Sequence, residues 1–205
     1  MIPMELHILP LGDYQTNTYI VSGNGKSCAL IDPGFQPQTI LDKVSGLGLT
    51  VDAVLLTHGH FDHVGAVEKI LAATGCRLYL HRADHEQPGD PMSRFCYPLS
   101  NTQLPGLAFC ADGDTITAGG LTFTVLSTPG HTGGSVCYRC GDVLFSGDTL
   151  FAGSCGRTDL PGGDWNAIRR SLARLAAISE DLTVYPGHGP HSTLQQERCV
   201  NPYMR

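Results

Sequence analysis

The sequence has no excess of positive charge. Its 205 residues carry 13 Lys and Arg against 19 Asp and Glu, for a net charge of −6. That counts against a nucleic-acid binder, which normally shows a basic surplus. No apolar run is long enough to cross a membrane. Met1 to Leu11 lacks a basic start and contains Glu5, His7 and two prolines, so no signal peptide is expected and the cytoplasm is the expected compartment. G-x-S-x-G is absent, and with it the usual mark of a serine nucleophile elbow. Cys137-Tyr138-Arg139-Cys140 has C-x-x-C spacing, but no second pair completes a zinc ribbon. Within a strand, positions i and i+3 also face opposite ways. The eight cysteines are therefore read as free, mostly buried thiols. No linker and no internal repeat is visible, so one domain over residues 1–205 is expected.

The sequence does contain enough to build a core, with 41% apolar and 16% charged residues. Strands are expected at Leu6 to Leu9, Thr18 to Val21 and Ser27 to Ile31, the last two joined by the Gly23-Asn24-Gly25-Lys26 turn. Apolar residues at 40, 41, 44 and 47 predict a helix over Pro37 to Leu47. Val51 to Leu56 reads as a buried strand, His63 to Thr74 as one helix ended by Gly75, and Arg77 to Leu80 as a strand. Hairpins are expected for Asp114 to Ala118 with Leu121 to Ser127, and for Gly134 to Arg139 with Asp142 to Ser146. A helix is expected from Trp165 to Ile178, N-capped by Asp164, and a strand at Leu182 to Tyr185. Ser192 to Gln195 has capping-box spacing for a short last helix. Residues 81–106 show no period and are rich in Pro, Asp and Ser. A loop of that length is often functional, and a cover over the active site is the expected role. Its His81 and His85 are taken as surface or supporting residues rather than ligands.

The chemistry concentrates in Thr57-His58-Gly59-His60-Phe61-Asp62-His63, which packs three imidazoles and a carboxylate into seven residues. His58 and His60 stand at i and i+2. In an extended loop they project to one side and can share a metal. Asp62 and His63 are adjacent and are expected to diverge, which suits a second site. Four strands end in Gly, Pro and a candidate ligand: Val51 to Leu56 leads to His58, Phe123 to Leu126 to His131, Val143 to Phe145 to Asp148, and Leu182 to Tyr185 to His188. Those ends converge if the strands lie in packed sheets. Seven ligands are too many for one first-row ion. They suit two, with His58, His60 and His131 on one, Asp62, His63 and His188 on the other, and Asp148 between them. Two divalent cations are therefore the expected cofactor. Zinc is expected first, and iron or manganese also suit imidazole and carboxylate donors. Such a centre keeps a small positive charge and generates hydroxide at neutral pH without a protein base.

Thr57 to His63, Thr128-Pro129-Gly130-His131-Thr132, Ser146-Gly147-Asp148-Thr149-Leu150 and Pro186-Gly187-His188-Gly189-Pro190 together resemble the metallo-β-lactamase superfamily. Within it, the chain is similar to glyoxalase II-like hydroxyacylglutathione hydrolases of a short bacterial type. Ser154 to Asp164 and residues 186–203 also look like that branch. The resemblance covers nearly the whole chain and implies an α/β fold, a four-layer αββα sandwich with metals at one edge. It implies hydrolysis of a small-molecule thioester such as S-lactoylglutathione by a metal-bridging hydroxide, with Asp62 and Asp148 as catalytic residues. Neither nucleic acid nor membrane is an expected partner. Full-length glyoxalase II enzymes carry a further C-terminal helical domain for glutathione, and this chain stops soon after His188. Asp32 is either a holder of a ligand imidazole or a turn residue. Arg157 is expected to be structural near the site, gripping Asp159, rather than to act directly on substrate.

A mono-iron persulfide dioxygenase is the main alternative, since such enzymes resemble the chain at Thr128 to Thr132 and Gly156 to Asp159. His188 favours two metals. A nuclease is disfavoured by the charge, and a β-lactamase by Asp148 where that zinc class usually has Cys.

Overall fold

The computed structural model describes residues 4–87, 97–100 and 102–205. Two six-stranded sheets face one another. The first runs in spatial order β1 (Glu5–Leu11), β2 (Thr16–Ser22), β3 (Ser27–Ile31), β4 (Thr50–Leu55), β5 (Arg77–His81), β6 (Leu107–Cys110). The second runs β14 (Ser192–Thr193), β13 (Thr183–Pro186), β10 (Val143–Gly147), β9 (Val136–Cys140), β8 (Leu121–Ser127), β7 (Thr115–Ala118). A small hairpin of β11 (Leu150–Phe151) and β12 (Ser154–Cys155) lies apart. Helices α1 (Pro37–Gly46), α2 (Phe61–Val64), α3 (Val67–Thr74) and α4 (Arg82–His85) follow strands of the first sheet, while α5 (Trp165–Ala176) and α6 (Leu194–Val200) serve the second.

Period-two alternation builds the layers. Tyr19, Val21, Ala29, Ile31, Ala53 and Leu55 of the first sheet meet Phe123, Val125, Tyr138 and Phe145 of the second in a buried inner core. The intervening residues Ile20, Leu30 and Val54 point outward and are covered by Ile40 and Val44 of α1 and Val67, Ile70 and Leu71 of α3. Leu144 and Cys137 point outward from the second sheet onto Ile168, Leu172 and Leu175 of α5. The expected αββα sandwich is thus present. Each fully buried Leu, Ile or Phe contributes roughly 1.5–3 kcal/mol of apolar burial. Cys137 and Cys140 lie in different cores on opposite faces of β9, as their spacing implies. All seven cysteines among the described residues are free, and Cys96 lies outside them.

Three helical crossovers matter for function. β3 with β4, β4 with β5 and β10 with β13 are parallel pairs. Parallel strands put their carboxyl ends on one edge, where α/β sheets bind ligands. β8 runs in the same sense as β10, because each is antiparallel to β9.

Two sequence expectations need correction. The helix expected over His63 to Thr74 is two helices, broken at Gly65-Ala66. The Asp32 to Gly34 loop docks against the break: Ala66 N donates to Pro33 O at 3.1 Å, and a Cβ on Gly65 would strike Gly34 O. The last helix is capped by Thr193, not Ser192, and Thr193 Oγ1 accepts from Gln196 N at 3.2 Å. Ser192 is held in β14 instead. Asp164 caps α5 as expected, accepting from Ala167 N at 2.9 Å.

Candidate metal centre

All seven expected donors meet at the edge where the strand ends converge. His58 follows β4, His131 follows β8, Asp148 follows β10 and His188 follows β13. His60 caps α2, and Asp62 and His63 occupy its first turn. The donor atoms of His58, His60 and His131 form one buried group with mutual separations within 4.8 Å, and those of Asp62, His63 and His188 form another. Asp148 lies between the groups. Its Oδ1 is 3.3 Å from His63 Nε2, and its Oδ2 is 3.5 Å from both His131 Nε2 and His188 Nε2. Asp62 and His63 do not diverge as expected. On a helical turn their side chains bend together, and Asp62 Oδ2 comes within 3.6 Å of His63 Nε2.

Four of the five imidazoles are aimed from behind. His63 Nδ1 donates to Asp32 Oδ2 at 2.9 Å. The Thr57 hydroxyl donates to the same carboxylate at 2.6 Å, so toward His58 Nδ1, 3.0 Å away, its oxygen accepts. Thr57 N also donates to Asp32 Oδ1 at 2.8 Å. His131 Nδ1 donates to Arg157 O at 2.8 Å and His188 Nδ1 to Tyr14 O at 3.1 Å. These bonds leave Nε2 of His58, His63, His131 and His188 pointing inward, the arrangement that ligating histidines require. Asp32 is therefore an imidazole holder. It sits in the left-handed region at φ 49°, a conformation Asp tolerates better than most residues.

Four buried atoms in this cluster have no hydrogen-bond partner: Nε2 of His58, His60 and His131, and Asp148 Oδ1. Orphaned buried polar atoms are costly. Grouped imidazole nitrogens with a shared carboxylate are what a cation site needs, so the residues fit a pair of metal ions. Burial lowers His58 well below the usual imidazole range and takes His60 down to about 3, with neighbouring imidazoles adding to the effect. Burial also lowers His131. In His63 burial is outweighed by Asp148 and Asp32, which hold it well above that range. In His188 burial is outweighed by Asp148 and Asp62, which push it up to about 9. Asp148 lies well below the carboxylate range because His63, His188 and His131 overcome its desolvation, and Asp62 is lowered too. The two groups thus differ: burial disfavours the proton on the imidazoles of one, while neighbouring carboxylates favour it on His63 and His188 of the other.

Other contacts were not apparent in the sequence. Asp84 of α4 is buried and accepts from Gly59 N at 2.8 Å, Thr132 Oγ1 at 2.9 Å and Gly134 N at 2.7 Å. It ties the His58–His60 loop to the His131 loop. Burial pushes its carboxyl up to about 6 against the pull of those donors. Asn17 Nδ2 donates to Pro186 O at 3.0 Å and Gly189 O at 2.9 Å, and Thr16 Oγ1 donates to Asp62 Oδ2 at 3.2 Å. Tyr97 packs on His60, ring centroids 5.2 Å apart, and donates to Pro161 O at 2.6 Å. Through Tyr97 and Asp84 residues 81–106 touch the loops that carry the donors; residues 88–96 and 101, on which the expected cover also falls, lie outside the described residues. His81 and His85 stand apart from the donors. His81 caps α4 and His85 bonds Thr102 O at 3.0 Å. Arg157 holds Asp159 through two bonds of 2.7 Å, the structural role expected of it.

The family model of the metallo-beta-lactamase superfamily matches residues 11–188. The hydroxyacylglutathione hydrolase GloC of Haemophilus influenzae is 32% identical over 98% of this chain and 98% of its own. Among solved structures, the BLEG-1 B3 metallo-beta-lactamase superimposes with a TM-score of 0.87 at 36% identity, covering 98% of this chain and 99% of that one. The protein TTHA1623, solved in a di-iron-bound form, gives 0.82 at 37% identity, covering 96% and 99%. ETHE1 from Myxococcus xanthus gives 0.80 at 30% identity, covering 97% and 83%.

Proposed function

The chain belongs to the metallo-beta-lactamase superfamily, and on that premise we propose that it is a binuclear metal-dependent hydrolase of small-molecule thioesters, of the hydroxyacylglutathione hydrolase type. The observation that carries the metal centre is the set of four buried, partnerless donor atoms on His58, His60, His131 and Asp148. The similarity to GloC over nearly the full length of both chains supports the thioester substrate.

His58, His60 and His131 would hold one ion, Asp62, His63 and His188 the other, and the two oxygens of Asp148 would face both. When bound, such a pair supplies hydroxide at neutral pH and Lewis acidity at a carbonyl. Zinc is the proposed metal. Iron and manganese suit the same donors, and one structural neighbour was solved with two irons. Asp32 and Thr57, with the carbonyls of Arg157 and Tyr14, keep the imidazoles aimed. Asp62, steadied by Thr16 at Oδ2, orients the attacking water. The water oxygen joins the acyl carbon and the carbon–sulfur bond breaks. Its electron pair leaves with sulfur, which takes up the proton. A thiolate leaves readily, so no strong general acid is needed.

Metal analysis of the purified protein, paired with hydrolysis of S-lactoylglutathione, tests this reading. Two divalent ions per chain and release of thiol are expected. Two ions without turnover of any thioester would keep the centre and overturn the substrate. A second reading, a mono-iron persulfide dioxygenase, stands beside it and is compatible with the similarity to ETHE1. One iron per chain and oxygen consumption with glutathione persulfide would establish it; the complete second donor group speaks against it. Asp148 stands where zinc β-lactamases usually have Cys, yet a B3 metallo-beta-lactamase is 36% identical to this chain, so a β-lactam belongs in the same assay.

A further inference from the structure

The cavity beside the donors is walled more like an apolar channel than a seat for glutathione. It measures about 540 Å³, and away from the donors its wall is Tyr14, Phe61, Phe151 and Leu160, with Arg157 beside them. The Tyr14 and Phe61 rings meet edge-on at 5.2 Å, and Phe61 meets Phe35 at 6.3 Å. Beyond that ridge lies a second cavity of about 400 Å³, again bounded by Tyr14 and Phe61, with Phe35 as its third aromatic wall and Gly12, Asp13 and Gln36 at its polar side. On the opposite side the Phe151 ring stands 6.1 Å from that of His188. Tyr14 is 57% exposed, so it is not there to fill the core. Apart from the histidines, Arg157 is the one cation among the described residues that line the first cavity, and its guanidinium fork is engaged by Asp159. Glutathione would bring two carboxylates and an ammonium to a wall that is mostly hydrocarbon.

We propose that this site selects thioesters with an extended apolar arm, which lies across Tyr14 and Phe61 toward Phe35, and that Tyr14, Phe61, Phe151 and Leu160 determine this preference. The inference rests on the thioester reading above and names the substrate class for it. A hydrocarbon arm would exchange water for aromatic surface at about threefold to fourfold in affinity per buried methylene. Four methylenes therefore suffice for a preference well beyond tenfold.

The test uses the full metal-loaded chain and four substrates: acetyl-N-acetylcysteamine, hexanoyl-N-acetylcysteamine, S-hexyl thioacetate and S-lactoylglutathione. At least one six-carbon compound should exceed the acetyl reference about tenfold or more in kcat/KM, and should also exceed S-lactoylglutathione. Tyr14→Ser should cut that ratio below about threefold. Its backbone carbonyl, which holds His188, is unchanged. Leu160→Ser is the second variant and should act in the same direction. Binding is read separately by calorimetry with unreactive thioethers, where S-hexyl-N-acetylcysteamine should bind at least about tenfold tighter than the S-methyl compound. If S-lactoylglutathione beats both six-carbon substrates, or the ratios survive in both variants, the preference is overturned while thioester hydrolysis stands. If none of the four is hydrolysed, the proposed function falls and the preference falls with it.

Discussion

Metal binding to the two donor groups should depend on pH very differently. In the absence of cations His188 titrates at about 9, so near neutrality it carries a proton that an incoming ion must displace. Each pH unit below 9 then weakens binding about tenfold through His188 alone, worth about 1.4 kcal/mol per unit. Between pH 8 and pH 6 the loss is about a hundredfold, or about 2.7 kcal/mol. His63, held well above its usual range by Asp148 and Asp32 despite burial, adds in the same direction. The other group behaves otherwise. His60 is down at about 3, and His58 and His131 are lowered by burial, so protons compete less with an ion there than they do at a free imidazole. Calorimetric titration of zinc into chelator-treated protein, in two buffers of different ionisation heat, counts the protons. The first equivalent should release close to none from these histidines, and the second about one to two. Occupancy measured by elemental analysis after dialysis at pH 6 should fall toward one ion per chain. Equal proton release for both equivalents, or parallel loss of both ions, would refute the assignment. A corollary has the opposite sign. The raised His188 pKa stabilises the cation-free chain fully below about 6.5, and that stability, up to about 3 kcal/mol, is lost as pH rises through about 9. The cation-free protein should therefore lose stability over the window in which its second site gains metal affinity.

Asp148→Ala should weaken both ions together, because its two oxygens face both donor groups; full occupancy by elemental analysis would show that it does not join them. Asp84→Ala would strand two buried backbone N–H groups and leave the Thr132 hydroxyl with Ser135 Oγ alone, at a cost of about 2–6 kcal/mol in denaturant unfolding. Metal titration should show the His58–His60–His131 site weakened more than the other, and uniform weakening would mean that Asp84 is merely structural. Gly187→Ala would place a Cβ on Asp148 Oδ1 and on His63 Cε1. Overpacking of this kind costs about 1–3 kcal/mol, and the second equivalent of metal should suffer most in the same titration.

How much of this could be read before the fold was known depends on how far apart the cooperating residues lie in the chain. The donors could be read because four of them follow strands of their own and the other three crowd within five residues of His58, and both are local signals. Once two sheets pack with their carboxyl ends on one edge, His58, His131, Asp148 and His188 must approach one another. The layers were similarly legible from alternation, as at Ala29-Leu30-Ile31, where successive residues enter different cores. Asp84 could not be found this way. It is one carboxylate in a polar stretch without period, and its role exists only because Gly59 and Gly134, far away in sequence, present N–H groups to it. The break at Gly65 was hidden for the same reason, since the pattern of α3 continues through it and only Gly34 from another loop interrupts the helix. Thr16 and Asn17 fall just before the strand expected at Thr18 to Val21, and nothing local marks them until the His188 loop lies against them. The cavity wall is the extreme case. Tyr14 and Leu160 come from loops, Phe61 from the start of α2 and Phe151 from β11, and no pairwise spacing links them. The chemistry of the centre is thus written in local motifs, while the choice of substrate resides in contacts between loops. Two chains with the same seven donors can therefore cleave the same bond in quite different molecules, and the wall rather than the donor set is where their specificities must be sought.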